Sequence, residues 1–158
     1  MNRIAGIFLV LIFALNCSYR GHPDEAELRR TFDEHKPDFY MLARMLDEDA
    51  EVVRISNENV FYGGTDEREL SEDRIAKYRQ TLAELGIENG IHRDNPTSVR
   101  FIASSKGLLY PTSEKSYLYT MEQPKPVVES LDALVSSQKQ SPVYSKIEDN
   151  WYLVYESW

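Results

Sequence analysis

The chain has 158 residues, of which 26 are acidic and 18 are basic, and its formal net charge is −8. A chain of this length can bury the core of a single domain, and its one cysteine excludes an internal disulfide. The acidic excess argues against nucleic-acid binding, which selects basic surfaces, and against broad adhesion to anionic lipid headgroups. The composition therefore predicts an acidic domain that relies on packing for its stability.

An uninterrupted apolar run extends from Ile4 to Leu15, follows the positive Arg3 and ends just before Cys17. The run has 12 residues, whereas a membrane-spanning helix needs about 20. It matches the apolar region of a secretory signal. Asn16 fits poorly with ordinary signal-peptidase cleavage, which prefers a small residue at the last position. The run therefore predicts a secretory signal at the start of the chain.

The stretch Phe13–Cys17 resembles the lipobox of bacterial lipoproteins, although Ala14 and Asn16 replace the more usual leucine and small residue. This resemblance implies that residues 1–16 are a signal peptide that is removed. It also implies that Cys17 carries a diacylglycerol and fatty acids such as palmitate, and anchors the chain in the lipid bilayer. Residues 17–22 would then be a lipidated tether. Ser18 resembles the sorting signal for the outer membrane, facing the periplasm. The alternative is a secreted or soluble periplasmic protein.

Two helices, or one kinked helix, are predicted after the tether. Pro23–Glu25 suits a helix start, because proline fits the first turn and acidic groups favour the positive end of the dipole. Pro37 either kinks this helix or opens a second one, and the acidic Asp47–Asp49 indicates an end. The apolar residues at helical spacing are Leu28, Phe32, Phe39, Leu42, Ala43 and Leu46.

Two short β-prone segments follow, Glu51–Ser56 and Val60–Tyr62, with turn residues between them. The clearest predicted helix comes next, because Ser71 can cap its start and Gly86 can close its end. One apolar stripe runs along this helix and comprises Ile75, Tyr78, Leu82 and Leu85.

The chain from Ile87 to Thr97 is polar and is predicted to form loops and turns. Strands are predicted at Val99–Ala103, at Leu108–Tyr110 after a turn over Ser104–Gly107, and at Lys115–Thr120.

A short helix is predicted over Val127–Val135, with Val128, Leu131 and Val135 facing the core. Val143–Ile147 and Trp151–Tyr155 are predicted to form a final β-hairpin, because Asp149 and Asn150 suit its turn. The order of elements predicts an α+β fold for a single domain over residues 23–158, with N-terminal helices and a mainly antiparallel sheet ending in a β-hairpin.

No sequence pattern indicates a catalytic residue, a metal site or a cofactor. His22, His35 and His92 lie far apart in the sequence and lack metal-ligand spacing. The acidic clusters at Asp47–Asp49 and Asp66–Asp73 lack the ordered calcium-loop pattern and are interpreted as solvated surface. Two carboxylates could form a glycosidase pair, but the sequence singles out no two of them.

The last hairpin carries four aromatic residues that form our candidate binding surface: Tyr144, Trp151, Tyr152 and Tyr155. A two-residue turn would pair Tyr144 with Tyr155 across the strands. It would pair Ile147 with Tyr152 on the opposite face of the sheet. One face must be core, and the other could be an exposed aromatic strip that binds a partner. The alternative is that these side chains only stabilise the sheet.

Three C-terminal segments, Ser104–Gly107, Pro124–Asp132 and Tyr144–Leu153, resemble small uncharacterised bacterial exported proteins and lipoproteins. Those proteins often end in an I-E-x-N-W-Y-L-like strand pair, as this chain does from Ile147. The resemblance implies an unassigned function and transfers no catalytic residue.

Three function hypotheses follow. The first is a lipid-anchored cell-envelope protein without catalytic activity that binds or supports an envelope protein partner. The second is a small envelope hydrolase that uses Asp or Glu. The third is an inhibitor or immunity-type partner of a basic protein, which the net charge alone motivates. The sequence does not indicate the oligomeric state.

Overall fold

A computed structural model describes residues 21–64, 69–87, 89–107, 112–133 and 142–158. These ranges contain three helices and eight strands. The helices are α1 (Glu25–Glu34), α2 (Lys36–Glu48) and α3 (Glu72–Glu84). The strands are β1 (Val52–Ile55), β2 (Val60–Tyr62), β3 (Ile91–Asn95), β4 (Ser98–Lys106), β5 (Ser113–Thr120), β6 (Val127–Val128), β7 (Val143–Glu148) and β8 (Trp151–Ser157). The α+β prediction is confirmed.

The helix boundaries follow from local chemistry. The Asp24 carboxylate caps α1 by accepting a hydrogen bond from the Glu27 N–H at 2.6 Å, and the Ser71 hydroxyl caps α3 in the same way. Pro37 lies in the first turn of α2, where its missing N–H costs nothing. Of the two predicted roles for Pro37, opening a second helix is confirmed.

The strands form one sheet in the order β2-β1-β3-β4-β5-β8-β7-β6. Every neighbouring pair is antiparallel except β6 and β7, which run parallel. The central pair β4–β5 is the longest, and β8 extends it through seven paired positions.

The core lies between the three helices and one face of this sheet. Cross-strand register places Val99, Tyr119 and Trp151 in one row, and Phe101, Tyr117 and Leu153 in the next. Phe32 of α1 and Phe39 of α2 meet these rows, with ring centroids 5.1 Å and 5.7 Å from that of Trp151. Both rings are fully buried.

Three sequence expectations about this sheet are wrong. Ile91–Asn95 is strand β3 rather than loop, because β1 and β4 pair with it on both sides. Strand β4 continues through Ser104–Lys106, where a turn was predicted. Val127–Val128 is strand β6 rather than the start of a helix, and the described residues after it are not helical. The predicted strand at Leu108–Tyr110 and the position of Val135 lie outside the described residues.

The last hairpin is confirmed, with Glu148 opposite Trp151 and Asn150 in a left-handed conformation at the turn. Its predicted register is wrong beyond the turn, since an irregularity between Lys146 and Glu148 shifts the pairing. Tyr152 therefore pairs with Lys146, and Tyr155 pairs with Val143. Because a shift of one residue reverses the face of a side chain, Tyr144 lies on the face opposite Tyr155.

Candidate functional site

A cleft of about 640 Å³ opens between α2 and the β3–β4 turn, beside the end of β5. This volume lies within the range of small-molecule and side-chain binding clefts. Its walls are formed largely by apolar and aromatic side chains, among them Tyr40, Met41, Val99, Tyr119 and Met121. We refer to this feature as the α2 cleft.

The aromatic side chains that line the α2 cleft, Tyr40 and Tyr119, pack against the core. Trp151 is fully buried, and its ring centroid lies 5.6 Å from that of Tyr40 and 5.1 Å from that of Tyr119. Tyr40 is 41% exposed and Met121 is 64% exposed. Most large apolar side chains of this domain are buried, so two exposed ones beside one cleft mark a surface suited to apolar contact.

The orientation of Tyr40 is fixed by the last hairpin. Its hydroxyl donates a hydrogen bond of 2.8 Å to the Glu148 carboxylate, and the Lys36 ammonium donates to the other oxygen of that carboxylate. Burial acts to raise the pKa of Glu148, but the bonds from Lys36 and Tyr40 outweigh it and lower this pKa. The Glu148 carboxylate is therefore ionised and holds α2 against the β7–β8 turn.

Charged groups line the rim of the α2 cleft. The Arg44 side chain is 74% exposed and lies 3.6 Å from the Glu48 carboxylate. Asp47 lies beside it on the cleft side of α2. Arg93 also lines the cleft, but its guanidinium donates to the carbonyls of Leu46 and Val52 and thereby ties β3 to its neighbours.

A second cluster, the N-terminal clasp, fastens residues 22–25 to the sheet. The His22 imidazole hydrogen-bonds the Ser104 hydroxyl through Nδ1 at 2.8 Å and the Ser113 hydroxyl through Nε2 at 2.7 Å. Burial, together with the positive charges of Lys115 and Lys106, lowers the pKa of His22 to about 4. The imidazole is therefore neutral near pH 7, and both of its nitrogens are occupied by serines.

The same clasp contains two ion pairs, each with one buried member, Lys115 in one and Glu25 in the other. The Lys115 ammonium donates to the Asp132 carboxylate at 2.5 Å and to the Pro23 carbonyl at 2.9 Å. The Glu25 carboxylate accepts from the Ser145 hydroxyl at 2.6 Å and from the Arg29 guanidinium at 2.7 Å. These contacts satisfy charges that would otherwise be costly to bury.

Hydrogen bonds decide the charge state of Glu25. Burial acts to raise its pKa, but the bonds from Ser145, Arg29 and the Leu131 N–H lower it to about 2. The pKa of Asp132 is also lowered, by its bonds from Lys115 and from the Glu25 N–H, against the effect of burial. Both carboxylates are therefore ionised, and neither is suited to act as a general acid.

The face of the sheet opposite the helices combines a charged network with a small apolar cluster. Arg100 lies 2.8 Å from the Asp94 carboxylate and 2.7 Å from the Glu156 carboxylate. Next to this network Leu118, Tyr152 and Val154 are buried, and Tyr144 packs against them.

The four predicted binding residues do not form one surface. Trp151 is fully buried on the helix side and Tyr152 is buried on the opposite side, so the expectation of a shared exposed strip is wrong for both. Tyr155 is half-buried on the helix side, with its ring 5.8 Å from that of His22. Tyr144 is half-buried on the other face. Cys17 lies outside the described residues.

The prediction of a tether over residues 17–22 is wrong at His22. Its two hydrogen bonds to the sheet make this residue part of the folded domain. The sequence analysis also missed the α2 cleft. One sequence pattern could have indicated this cleft. Tyr40, Arg44 and Asp47 lie at four- and three-residue spacing and form a second face of α2, beside the core stripe. No sequence pattern predicts that Met121 lines the cleft, because its place there depends on the packing of β5 against α2.

No model of a protein family, no curated protein and no solved structure matches the chain. In the part of the chain that the structure describes, none of the helices is both long enough and apolar enough to cross a membrane. Across those same ranges, no group of three or more histidine, cysteine or acidic residues is arranged to hold a metal ion.

Proposed function

We propose that this chain is a lipid-anchored protein of a bacterial cell envelope that binds a protein partner through the α2 cleft and has no catalytic role. The observation that carries the binding role is the exposed pair Tyr40 and Met121 beside a cleft of about 640 Å³. Interfaces are enriched in tyrosine, methionine and arginine, and Arg44 adds an exposed cation to this rim. The partner that fits is a protein segment presenting an apolar side chain next to an acidic one.

The charge states of three carboxylates argue against their use as the acid of a hydrolase. A glycosidase-type acid needs a carboxyl whose pKa is raised. Glu25, Asp132 and Glu148 instead have lowered pKa values. Each of these carboxylates is occupied by a cation of the same domain.

Photocrosslinking in the expressing bacterium tests the binding role. A photoreactive benzoyl-phenylalanine replaces Met121 in one variant and Lys146 in a control variant. Lys146 is also exposed, but it pairs with Tyr152 on the other face of the sheet. We expect one partner of defined mass to be crosslinked from position 121 only, and Tyr40→Ala to abolish that product.

The other outcomes discriminate between hypotheses. Equal products from both positions, or none from position 121, would contradict binding through the α2 cleft. A product that forms only at low salt would favour the inhibitor hypothesis, because salt screens exposed charges. Turnover of a cell-wall substrate that is lost in Asp47→Asn would favour the hydrolase.

The anchor is tested separately by intact mass and membrane fractionation of the wild type and Cys17→Ala. We expect acyl mass on a wild-type chain that begins at Cys17, and a variant that is unprocessed or absent from membranes. A wild type that is soluble and cleaved elsewhere would overturn the anchor.

A further inference from the structure

The N-terminal clasp fixes where the proposed lipid anchor meets the domain. His22 is hydrogen-bonded to β4 through Ser104 and to β5 through Ser113. Four residues lie between Cys17 and His22, which makes five residue steps, and a fully extended chain spans at most about 3.6 Å per step. Whatever the conformation of that stretch, the lipidated cysteine lies within about 18 Å of His22.

One end of the sheet surrounds His22, and we refer to it as the clasp end. Lys106 pairs with Ser113 there, and Ser113 pairs with Ser157. The Trp158 N–H donates to the Thr112 carbonyl at 2.9 Å. The Trp158 side chain is 41% exposed, and tryptophan favours the headgroup region of a bilayer, where its ring is partly wet.

The α2 cleft lies at the other end of the same strands. Strand β5 begins with Ser113 at the clasp end and finishes at Thr120, just before Met121. Seven residue steps at about 3.4 Å each separate these ends by roughly 24 Å. Tyr119 and Val99, which line the cleft, belong to this distant end.

We infer that the clasp end rests on the bilayer with Trp158 in the headgroup region, and that the α2 cleft faces the aqueous phase. This orientation rests on the proposed lipidation of Cys17. The short connection leaves the domain little freedom to turn over, so a partner of the cleft approaches from the aqueous side and does not compete with lipid. The partner of the clasp end is a lipid surface.

Tryptophan fluorescence tests the orientation, because the chain has only two tryptophans and Trp151 is fully buried. The acylated protein, purified from bacterial membranes, is reconstituted into phosphatidylcholine vesicles with and without bromine on the acyl chains. Bromine quenches tryptophan only at short range. We expect the wild type to lose fluorescence in brominated vesicles and Trp158→Phe to lose none.

A second tryptophan reporter tests whether the α2 cleft, at the other end of the sheet, stays away from the bilayer. The double variant Trp158→Phe, Met121→Trp places an exposed tryptophan beside the α2 cleft, where we expect no quenching by brominated lipid and normal quenching by aqueous iodide. Lipid quenching of this reporter, or its absence for Trp158, in protein that carries acyl mass and floats with vesicles would overturn the orientation alone. Protein without acyl mass would overturn the anchor and the orientation together.

Discussion

His22 and Glu25 fasten the same short segment of chain, but their protonation equilibria affect stability in different pH ranges. His22 has a pKa of about 4 in the folded domain against 6.5 for a free imidazole. Between these values the unfolded chain binds more protons than the folded one. The free energy of unfolding therefore has its full His22 contribution above pH 6.5 and loses it as the pH falls toward 4.

For His22→Asn we expect stability that changes little between pH 6.5 and pH 4, where the wild type weakens. Urea denaturation at a series of pH values measures this difference. An NMR titration of the wild type should show the His22 imidazole protonating with a midpoint near pH 4. A variant with the same slope as the wild type in this range would show that His22 is not the group responsible.

For Glu25→Gln we expect the free energy of unfolding at pH 7 to fall by about 2–4 kcal/mol, because Arg29 keeps its charge but loses its buried partner. The pKa of Glu25 is about 2 when folded and 4.5 unperturbed. Its contribution is thus present above pH 4.5 and disappears as the pH falls toward 2, so the two proteins should converge in acid.

Two matched comparisons control this experiment. Glu27→Gln changes an exposed carboxylate in the same helical turn and should leave stability nearly unchanged. His22→Asn should keep the Glu25 effect while removing the dependence at higher pH. A loss in Glu27→Gln equal to that in Glu25→Gln would show that the charge of α1, rather than the clasp, sets the stability.

At the scale of elements, β1 and β3 approach so closely at Gly90 that no side chain fits. A Cβ at this position would lie 2.0 Å from the Ile55 carbonyl oxygen, and Gly90 has a φ of +83°. Gly86 has a similar φ of +67° but open space around it. The two glycines therefore separate the cost of backbone conformation from the cost of a collision.

We expect Gly86→Ala to lower the free energy of unfolding by about 1 kcal/mol, which is the cost of a left-handed alanine. Gly90→Ala should lower it by at least about 3 kcal/mol, because the β1 backbone must also move. Chemical denaturation of both variants measures the difference. Equal losses of unfolding free energy in the two variants would show that the β1 backbone moves aside without further loss of stability. The pairing of β1 with β3 would then be loose.

Elements defined by local chemistry could be predicted from the sequence, and those defined by distant contacts could not. Ser71 and Gly86 mark α3 by capping and closing it, and the prediction of that helix is confirmed. Strand β3 has no local signal, because its residues 92–95 are all polar and give no alternation of apolar and polar side chains. The helix predicted over Val127–Val135 is wrong for the described residues 127–133, since β7 pairs with Val127 and Val128, and Glu25 accepts the Leu131 N–H.

The residues of the candidate site likewise include some that a local sequence pattern indicates and some that only distant contacts place there. Trp151 was selected for its aromatic ring, and that ring supports the α2 cleft from within the core. Its location was not predictable, because it depends on the pairing of β8 with β5 and on the packing of Phe39 of α2 against that ring. Met121 and Tyr40 are 81 residues apart in sequence, so no local pattern could place them at one cleft.

At the scale of the whole molecule, the clasp fastens the first described residues of the chain to the sheet. Residues 22 and 23 contribute both His22 hydrogen bonds and the carbonyl that accepts from Lys115. A chain starting at Asp24 retains the α1 cap but loses all three contacts. A chain starting at Gly21 keeps them, and so isolates the effect of these residues from that of the preceding segment.

We expect residues 24–158 to unfold with a free energy about 2–4 kcal/mol lower than residues 21–158, because each lost hydrogen bond contributes about 1 kcal/mol. The loss should be measured at pH 7 by urea denaturation, with a chain of residues 17–158 carrying Cys17→Ala as reference. That reference and residues 21–158 should be equally stable if the fold begins at the clasp. Equal stability of all three chains would show that His22 and Pro23 only rest against the sheet. The link between the proposed anchor and the clasp end would then be flexible, and the inferred orientation on the membrane would lose its basis.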